Sequence, residues 1–118
     1  MSEQFKIKNV SKNFGRIHLV AFSLLNNQPV GEAVAISVGK TANIFTFYIN
    51  RDKRNQGAGS LLLSELEQVT LQEGNTSIKR IGWFCDEESI QGFFRARKFF
   101  KKHGYSDKIL YLSKKLAK

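Results

Sequence analysis

The sequence predicts an α/β (α+β) fold in which helices flank a mixed sheet. The first half of the chain alternates apolar and polar residues or carries β-branched runs, as strands do. After residue 59 the apolar residues recur at helical spacing, and this pattern returns after residue 89. Short segments rich in Gly and Asn separate the runs. The predicted order is four strands, helix, strand, helix and strand, or ββββαβαβ.

Local patterns set the predicted boundaries. An alternating strand begins at Phe5, Pro29 lies in the turn cluster between the second and third strands, and Gly74 ends the first helix. Gly104 follows the second helix as its cap. The predicted strands are 5–10, 16–25, 30–38, 44–49, 78–85 and 109–112, with turns at 26–29 and 39–43, and with helices from Ser60 to about Glu73 and from Ile90 to His103.

The composition favours a single domain over residues 1–118. One cysteine, Cys85, excludes an internal disulfide and a thiolate zinc site, and two histidines are too few for a histidine-rich metal site. No apolar run reaches the length of a membrane span, and the N-terminus lacks a basic and apolar signal pattern. We therefore expect a cytoplasmic protein that has no metal and no membrane partner.

The net charge of +9 is concentrated near the C-terminus. Residues 95–118 contain nine Lys or Arg residues against Asp107 alone, whereas residues 1–94 are close to balance. This asymmetry predicts an acidic or nucleic-acid partner for the C-terminal third. A solvated basic face that keeps the protein soluble explains the same charge equally well.

The most informative segment is the turn between the fourth strand and the first helix, Arg54-Asn55-Gln56-Gly57-Ala58-Gly59. Glycines let backbone N–H groups point inward, and a helix N-terminus carries unpaired donors and partial positive charge. These features predict a cradle for a phosphate or pyrophosphate, although a tight turn before a helix has a similar composition. The segment lacks the Gly-Lys-Ser/Thr of nucleoside triphosphatases, and Leu62 interrupts a dinucleotide fingerprint.

Two segments resemble the GCN5-related N-acetyltransferase (GNAT) superfamily. Residues 47–63, FYINRDKRNQGAGSLLL, are similar to its cofactor motif, a Gln/Arg-x-x-Gly-x-Gly/Ala turn between an apolar strand and a leucine-rich helix. Residues 96–105, ARKFFKKHGY, are similar to its Ala-x-x-Leu-Tyr-x-x-x-Gly-Phe signature. The resemblance is specific from about residue 44 to residue 112. Residues 1–43 agree only in strand order and lack the usual N-terminal helices.

This resemblance implies a minimal-length acyl-CoA N-acyltransferase-like fold with a mostly antiparallel sheet and with acetyl-CoA as cosubstrate. The protein would transfer an acetyl group to a primary amine, on a small molecule or a protein, by direct attack on the thioester. The backbone of Phe47, Tyr48 and Ile49 would pair with the pantetheine arm. The implied pyrophosphate cradle consists of Arg54, Asn55, Gln56, Gly57, Ala58, Gly59 and Ser60.

The chain departs from the family pattern where the catalytic groups are expected. Phe100 stands where the family usually has a thiolate-protonating Tyr, and Phe93 stands where it usually has an Asn. Phenylalanine cannot donate a proton, so the resemblance does not identify the catalytic residues. The remaining candidates are Glu87, Glu88, Glu32 and Tyr48. Each also has a structural explanation, as an acid at a helix N-terminus, a solvent-facing strand carboxylate or a core aromatic.

Three functions stay open at this point. The first is the acetyltransferase that the resemblance implies. The second is a catalytically weak or inactive acyl-CoA-binding or interaction module of the same fold, which Phe93 and Phe100 favour. The third is a basic nucleic-acid-binding domain, because cations and phenylalanines are interleaved along the helix 90–103. The short chain also leaves open a homodimer whose second subunit completes the acceptor groove.

Overall fold

The computed structural model describes residues 4–80, 90–107 and 112–116. Over these ranges the chain forms seven strands, two α-helices and one short 3-10 helix. Within them, no helix combines the length and the apolar character needed to cross a membrane. The strands are β1 (Phe5–Asn9), β2 (Arg16–Ser23), β3 (Pro29–Val38), β4 (Thr41–Ile49), β5 (Ser77–Arg80), β6 (Ser106–Asp107) and β7 (Leu112–Lys115), and the helices are α1 (Ala58–Gln72) and α2 (Ile90–Lys102).

The strands form one sheet in the order β1-β2-β3-β4-β5-β7-β6. All neighbours are antiparallel except β4 and β5, which run parallel because the crossover helix α1 connects them. The described pairing of β4 with β5 runs from Thr41↔Ser77 to Ile44↔Arg80, and β4 continues to Ile49 beyond it. The prediction of a mixed, mostly antiparallel sheet with flanking helices is confirmed.

Both helices pack against the same face of the sheet. α1 buries Leu62 and Leu66 in one hydrophobic core with alternate strand residues such as Leu19. Phe100 of α2 belongs to the same core and contacts Phe47 of β4. The opposite face of β2, β3 and β4 carries His18, Glu32 and Tyr48, which lie outside this core. The two faces of the sheet therefore have different chemistry, apolar on one side and partly polar on the other.

The turn between β3 and β4 is shorter than predicted. β4 begins at Thr41, inside the predicted turn 39–43, and Val38 pairs directly with Thr41. Gly39 has a φ of 65°, a left-handed conformation that suits a hairpin turn of two residues. The chain therefore reverses over Gly39 and Lys40 alone, and the residues that follow are already in the strand.

The other predicted boundaries differ less from those in the structure, or lie partly outside the described residues. α1 begins at Ala58 rather than at Ser60, because the left-handed Gly57 completes the turn and serves as the helix N-cap. The fifth and last predicted strands are described as Ser77–Arg80 and Leu112–Lys115, whereas residues 81–85 and 109–111 lie outside the described residues.

Tyr105 links both helices to β7. Its ring packs edge-on against Phe100, and its hydroxyl donates a hydrogen bond to Oε2 of Glu67 in α1 at 2.9 Å. Nζ of Lys114 in β7 lies 3.1 Å from Oε1 of the same carboxylate. Burial, followed by the charge of Glu67 and this hydrogen bond, raises the pKa of the Tyr105 hydroxyl far above its ordinary value.

We expect this buried hydroxyl to make the protein less stable in alkali. The folded state keeps the Tyr105 proton, whereas the unfolded chain releases it near the ordinary tyrosine pKa of about 10. The stabilisation is therefore complete below about pH 10 and is lost above it, by up to about 1.4 kcal/mol per pH unit. Urea unfolding at pH values below and above about 10 measures the effect. As the pH rises, the free energy of unfolding should fall less in Tyr105→Phe than in the wild type. An equal pH dependence of the two proteins would contradict the assignment.

Candidate functional site

The turn after β4 folds back onto the end of that strand. Residues Arg51–Lys53 form a single 3-10 turn. Nε of Arg54 then donates a hydrogen bond to the Ile49 carbonyl at 2.9 Å. Asn55 follows with a left-handed φ of 64°, which Asn tolerates better than most residues. These contacts fix the path of the chain from the strand into α1.

Among the described residues, no side chain caps the N-terminus of α1. The N-cap is Gly57, with a φ of 91°, and its carbonyl accepts the hydrogen bond of the Leu61 N–H at 3.1 Å. The N–H groups of Ala58, Gly59 and Ser60 therefore precede the helical ladder and carry the positive end of the helix dipole. A Cβ on Gly57 would meet no atom within 4 Å, so the space around the N-cap residue is open. This geometry fits a phosphate group.

The second glycine of the motif serves helix packing. A Cβ on Gly59 would lie 3.3 Å from Cε1 of Phe99 and 3.8 Å from Cγ1 of Ile49. Glycine therefore lets the first turn of α1 approach the Phe99 ring of α2. Glycine is thus favoured at position 57 because of its backbone conformation and at position 59 because the two helices approach closely there. The sequence motif does not distinguish the two.

His103 connects the end of α2 to the first turn of α1. Its Nδ1 lies 2.8 Å from the Phe99 carbonyl oxygen, and its Nε2 lies 2.9 Å from Oγ of Ser60. Because a carbonyl only accepts, Nδ1 carries the proton, and Nε2 of a neutral ring accepts from Ser60. The sequence did not predict this contact. The four-residue spacing of Phe99 and His103, which puts both on one helix face, could have found the bond within α2, but no local signal predicts the contact with Ser60.

The main-chain groups of Phe47 and Ile49 point to the β5 side of β4. The Asn50 N–H donates to the Val30 carbonyl at 2.7 Å, which makes these residues a hydrogen-bonded antiparallel pair. Along an antiparallel ladder, hydrogen-bonded pairs alternate with pairs that are not hydrogen-bonded. The main chain of Tyr48 therefore bonds to β3, whereas the main-chain groups of Phe47 and Ile49 point to the opposite edge of β4. Two of the three residues predicted to pair with pantetheine therefore present their main chain to the β5 side, and Tyr48 presents its main chain to β3.

Phe100 is a core residue at the position where the family usually has Tyr. It is 2% exposed, and its ring lies 5.3 Å from Phe47 and 5.2 Å from Tyr105 between centroids, both in edge-to-face arrangements. Cζ of Arg80 lies 5.8 Å from the centroid of the same ring. The side chain stabilises the core and offers no proton.

Glu32 and Tyr48, both candidates from the sequence, meet on the sheet face opposite the helices. They are cross-strand partners, and the Tyr48 hydroxyl donates to Oε1 of Glu32 at 3.2 Å. Oε2 of Glu32 lies 2.7 Å from Nε2 of His18, which the sequence did not single out. The interpretation of Tyr48 as a core aromatic is wrong, because it shares the outward face of Glu32 and is 37% exposed. Its neighbour Phe47 enters the core instead.

The other two catalytic candidates, Glu87 and Glu88, lie outside the described residues, as does Cys85. The side chain at position 93, where the family usually has Asn, is also outside the described part of α2. Their predicted roles therefore remain predictions.

The solvent side of α2 is cationic over its described side chains. Exposed Arg95 lies on this side, and a surface depression is lined by Arg97, Lys98, Lys101 and Lys102. Phe99 and Phe100 point the other way, into the core. Phe100 is buried and Phe99 is partly buried against the core, which disfavours stacking of these two rings on nucleic-acid bases, while the cations make the solvent side of the helix positively charged.

Residues 15–107 match a family model described as the acetyltransferase (GNAT) domain. A Bacillus subtilis protein of uncharacterised function, YyaT, is 34% identical over 79 residues, which are 67% of this chain and 47% of that protein. The chain thus spans about half the length of the curated relative it matches.

Solved structures share the fold at low sequence identity. A proposed acyl-CoA N-acyltransferase from Klebsiella pneumoniae has a TM-score of 0.78 at 16% identity, covering 97% of this chain and 99% of that one. The ribosomal-protein-S18-alanine N-acetyltransferase from Escherichia coli has a TM-score of 0.76 at 11% identity, covering 98% and 96%. An aminoglycoside 6′-N-acetyltransferase complexed with coenzyme A has a TM-score of 0.72 at 16% identity, covering 90% and 76%. The family model spans most of the sequence and these structures share its fold, so the chain belongs to the GNAT family of acetyltransferases.

Proposed function

We propose that this chain is a cytoplasmic, acetyl-CoA-dependent N-acetyltransferase that acts on a primary amine, and that residues 1–118 form one such domain. The observation that carries the proposal is the uncapped N-terminus of α1, which opens beside the end of β4. Membership of the GNAT family supports the reaction class. No metal enters the proposal.

The cofactor would lie along the β5 side of β4 and end at the first turn of α1. Acetyl-CoA supplies an acetyl thioester that a neutral amine can attack directly, so the protein needs no covalent intermediate. The main-chain groups of Phe47 and the N–H group of Ile49 would orient the pantetheine arm as an added strand does, while the Ile49 carbonyl keeps its hydrogen bond from Arg54. The N–H groups of residues 58–60 would bind the pyrophosphate, and Arg54, Asn55 and Gln56 would form the wall of the cradle.

The cationic depression on α2 suits the remaining phosphate of the cofactor. Arg97, Lys98, Lys101 and Lys102 would bind the 3′-phosphate or an acidic acceptor. Their number makes the interaction sensitive to salt. This assignment gives the basic C-terminal third a role within the same reaction.

His18 and Glu32 are our candidates for the groups that take the proton of the incoming ammonium. A carboxylate only accepts hydrogen bonds, so Nε2 of His18 carries the proton that faces Glu32. Nδ1 of the neutral ring is then the basic nitrogen, and Glu32 orients it. Tyr48 holds the other oxygen of the carboxylate. The three side chains lie on the partly polar face, where the helices do not cover the sheet.

Two alternatives have specific support. The burial of Phe100 favours a weakly active or inactive acyl-CoA-binding module, because no hydroxyl is present at that position. The cationic face of α2 favours binding of nucleic acid, although Phe100 is buried and Phe99 is partly buried against the core, which disfavours base stacking on these rings. A homodimer that completes the acceptor groove is compatible with each of these functions.

Thiol release from acetyl-CoA in the presence of different amines tests the proposal. The panel includes a polyamine, an aminoglycoside, a peptide with a free N-terminus and a lysine peptide. We expect one class to be acetylated, and His18→Gln to lower kcat at least about tenfold because a general base is removed. Lys8→Gln, an exposed change on the same sheet face, is the control. Binding of CoA without turnover of any amine would favour the inactive module, and absence of CoA binding would remove both functions.

A further inference from the structure

β4 contains a bulge next to the last described pair with β5. Val34 pairs with Thr46, whereas the next residue of β3, Ala35, pairs with Ile44, so Phe45 is an extra residue in β4. In a regular strand, successive carbonyls point to opposite edges. At this bulge the carbonyls of Ile44 and Phe45 instead point to the same edge, because one nitrogen contacts both of them.

That nitrogen is Nη1 of Arg80. It donates to the Ile44 carbonyl and to the Phe45 carbonyl, each at 3.1 Å. Arg80 lies directly opposite Ile44 at the described end of β5. A single guanidinium nitrogen therefore holds both carbonyls of the bulge and ties them to the neighbouring strand.

The guanidinium is in the protein interior. Arg80 is 1% exposed, and the Phe100 ring covers its Cζ at 5.8 Å. An arginine stays charged at any pH at which the protein is folded, and burying a charge costs free energy unless polar groups receive it. An apolar side chain would avoid that cost, but it would leave the Ile44 and Phe45 carbonyls of the bulge without the Nη1 donor. The choice of a cation at this place points to a role beyond packing.

We propose that Arg80 is a positioning residue for the acetyl-transfer reaction. It fixes the bulge so that the main chain of β4 after Phe45 is presented to the β5 side in one geometry, which is where the pantetheine arm would end. Its positive charge lies behind the same edge, where it favours negative charge developing on the thioester oxygen or sulfur. In this chain a fixed cation thus stands beside Phe100, the position that offers no proton donor. The inference rests on the proposed function of the β4 edge.

The test compares Arg80→Met and Arg80→Lys with Lys79→Met, a change at the preceding residue of β5. We expect Arg80→Met to lower kcat at least about tenfold while KM for acetyl-CoA and the calorimetric Kd for CoA change less than about threefold. Amide hydrogen exchange at Phe45 and Thr46 should become faster in the same variant. Arg80→Lys, which can still donate to both carbonyls, should restore most of kcat and the slow exchange. Lys79→Met should resemble the wild type in every measurement.

Each outcome decides the role of Arg80 separately from the proposed function. If Arg80→Met leaves amide exchange at Phe45 and Thr46 unchanged, the positioning role is wrong, whatever the activity. If Arg80→Met weakens CoA binding in parallel with kcat, Arg80 belongs to the cofactor cradle and the proposal is overturned. If the wild type acetylates no amine but exchange still responds to Arg80→Met and recovers in Arg80→Lys, the proposed function fails while the structural part of the inference stands. If Arg80→Met does not fold, Arg80→Lys is compared with Lys79→Met instead. Loss of kcat in Arg80→Lys with unchanged amide exchange at Phe45 and Thr46 would then contradict the positioning role.

Discussion

Phe100→Ala should lower the free energy of unfolding by about 3–5 kcal/mol, the largest effect we expect of any single substitution in this chain. The ring is buried and packs edge-on against Phe47, Phe99 and Tyr105. Its removal would open a cavity between α2 and β4 and uncover the guanidinium of Arg80. Urea unfolding followed by circular dichroism measures the loss.

The matched control is Phe14→Ala. Phe14 is 84% exposed, so its truncation should change stability by no more than about 0.5 kcal/mol. Equal effects of the two substitutions would contradict the assignment of Phe100 to the core. A small effect of Phe100→Ala would also reopen the possibility that this ring faces the cofactor, as the corresponding Tyr does in the family pattern.

Gly57→Ala should weaken CoA binding by about 2–3 kcal/mol, or roughly 30- to 150-fold in Kd. At a φ of 91° a Cβ is strained, so the turn would relax and redirect the N–H groups at the start of α1. Each hydrogen bond from such a donor to a charged oxygen contributes about 1.5–3 kcal/mol. Isothermal titration with CoA measures the change.

Gly74→Ala separates this effect from general strain. Gly74 follows the other end of α1, has a φ of 92° and, like Gly57, has no atom within 4 Å of a Cβ. Both substitutions should lower stability by about 1–2 kcal/mol, but only Gly57→Ala should weaken CoA binding. Equal Kd values for the two variants would show that the α1 N-terminus is not the phosphate site.

Periodic patterns predicted the architecture because they reflect which side of an element is buried. The leucines of α1 at Leu62, Leu63 and Leu66 all enter the core, and the alternation along β2 buries Leu19 while His18 stays on the opposite face. The turn at 54–59 was also visible in the sequence, because glycine at a helix start has a local conformational cause. Periodicity did not place the β3–β4 turn, which the structure closes over two residues with Gly39 in a left-handed conformation.

The contacts that give the site its detail join residues far apart in the chain. His103 meets Ser60, and Arg80 meets the carbonyls of Ile44 and Phe45. Local composition contains no information about such pairs. Alternation from Ile78 does place Arg80 on the core face, yet a charged residue there is unusual enough that only the structure identified its partners.

The contacts of the catalytic candidates were likewise not predictable from local sequence. The cross-strand pairing of Glu32 with Tyr48 follows from strand register, which the sequence leaves undetermined. The contact of His18 with Glu32 also became visible only once the register was known. Glu87 and Glu88 keep their predicted roles, since they lie outside the described residues. The chain therefore has a well-defined candidate cradle and a proposed base on the opposite face of the sheet.

The most direct test of the proposed cradle is a calorimetric titration of CoA into the wild-type chain, combined with amide chemical shifts to locate the ligand. We predict a Kd in the micromolar range and the largest shifts at the N–H groups of Gly57, Ala58, Gly59 and Ser60, with further shifts at Phe47 and Ile49. Absence of binding at millimolar CoA, or binding that shifts other residues and leaves the first turn of α1 unchanged, would contradict it.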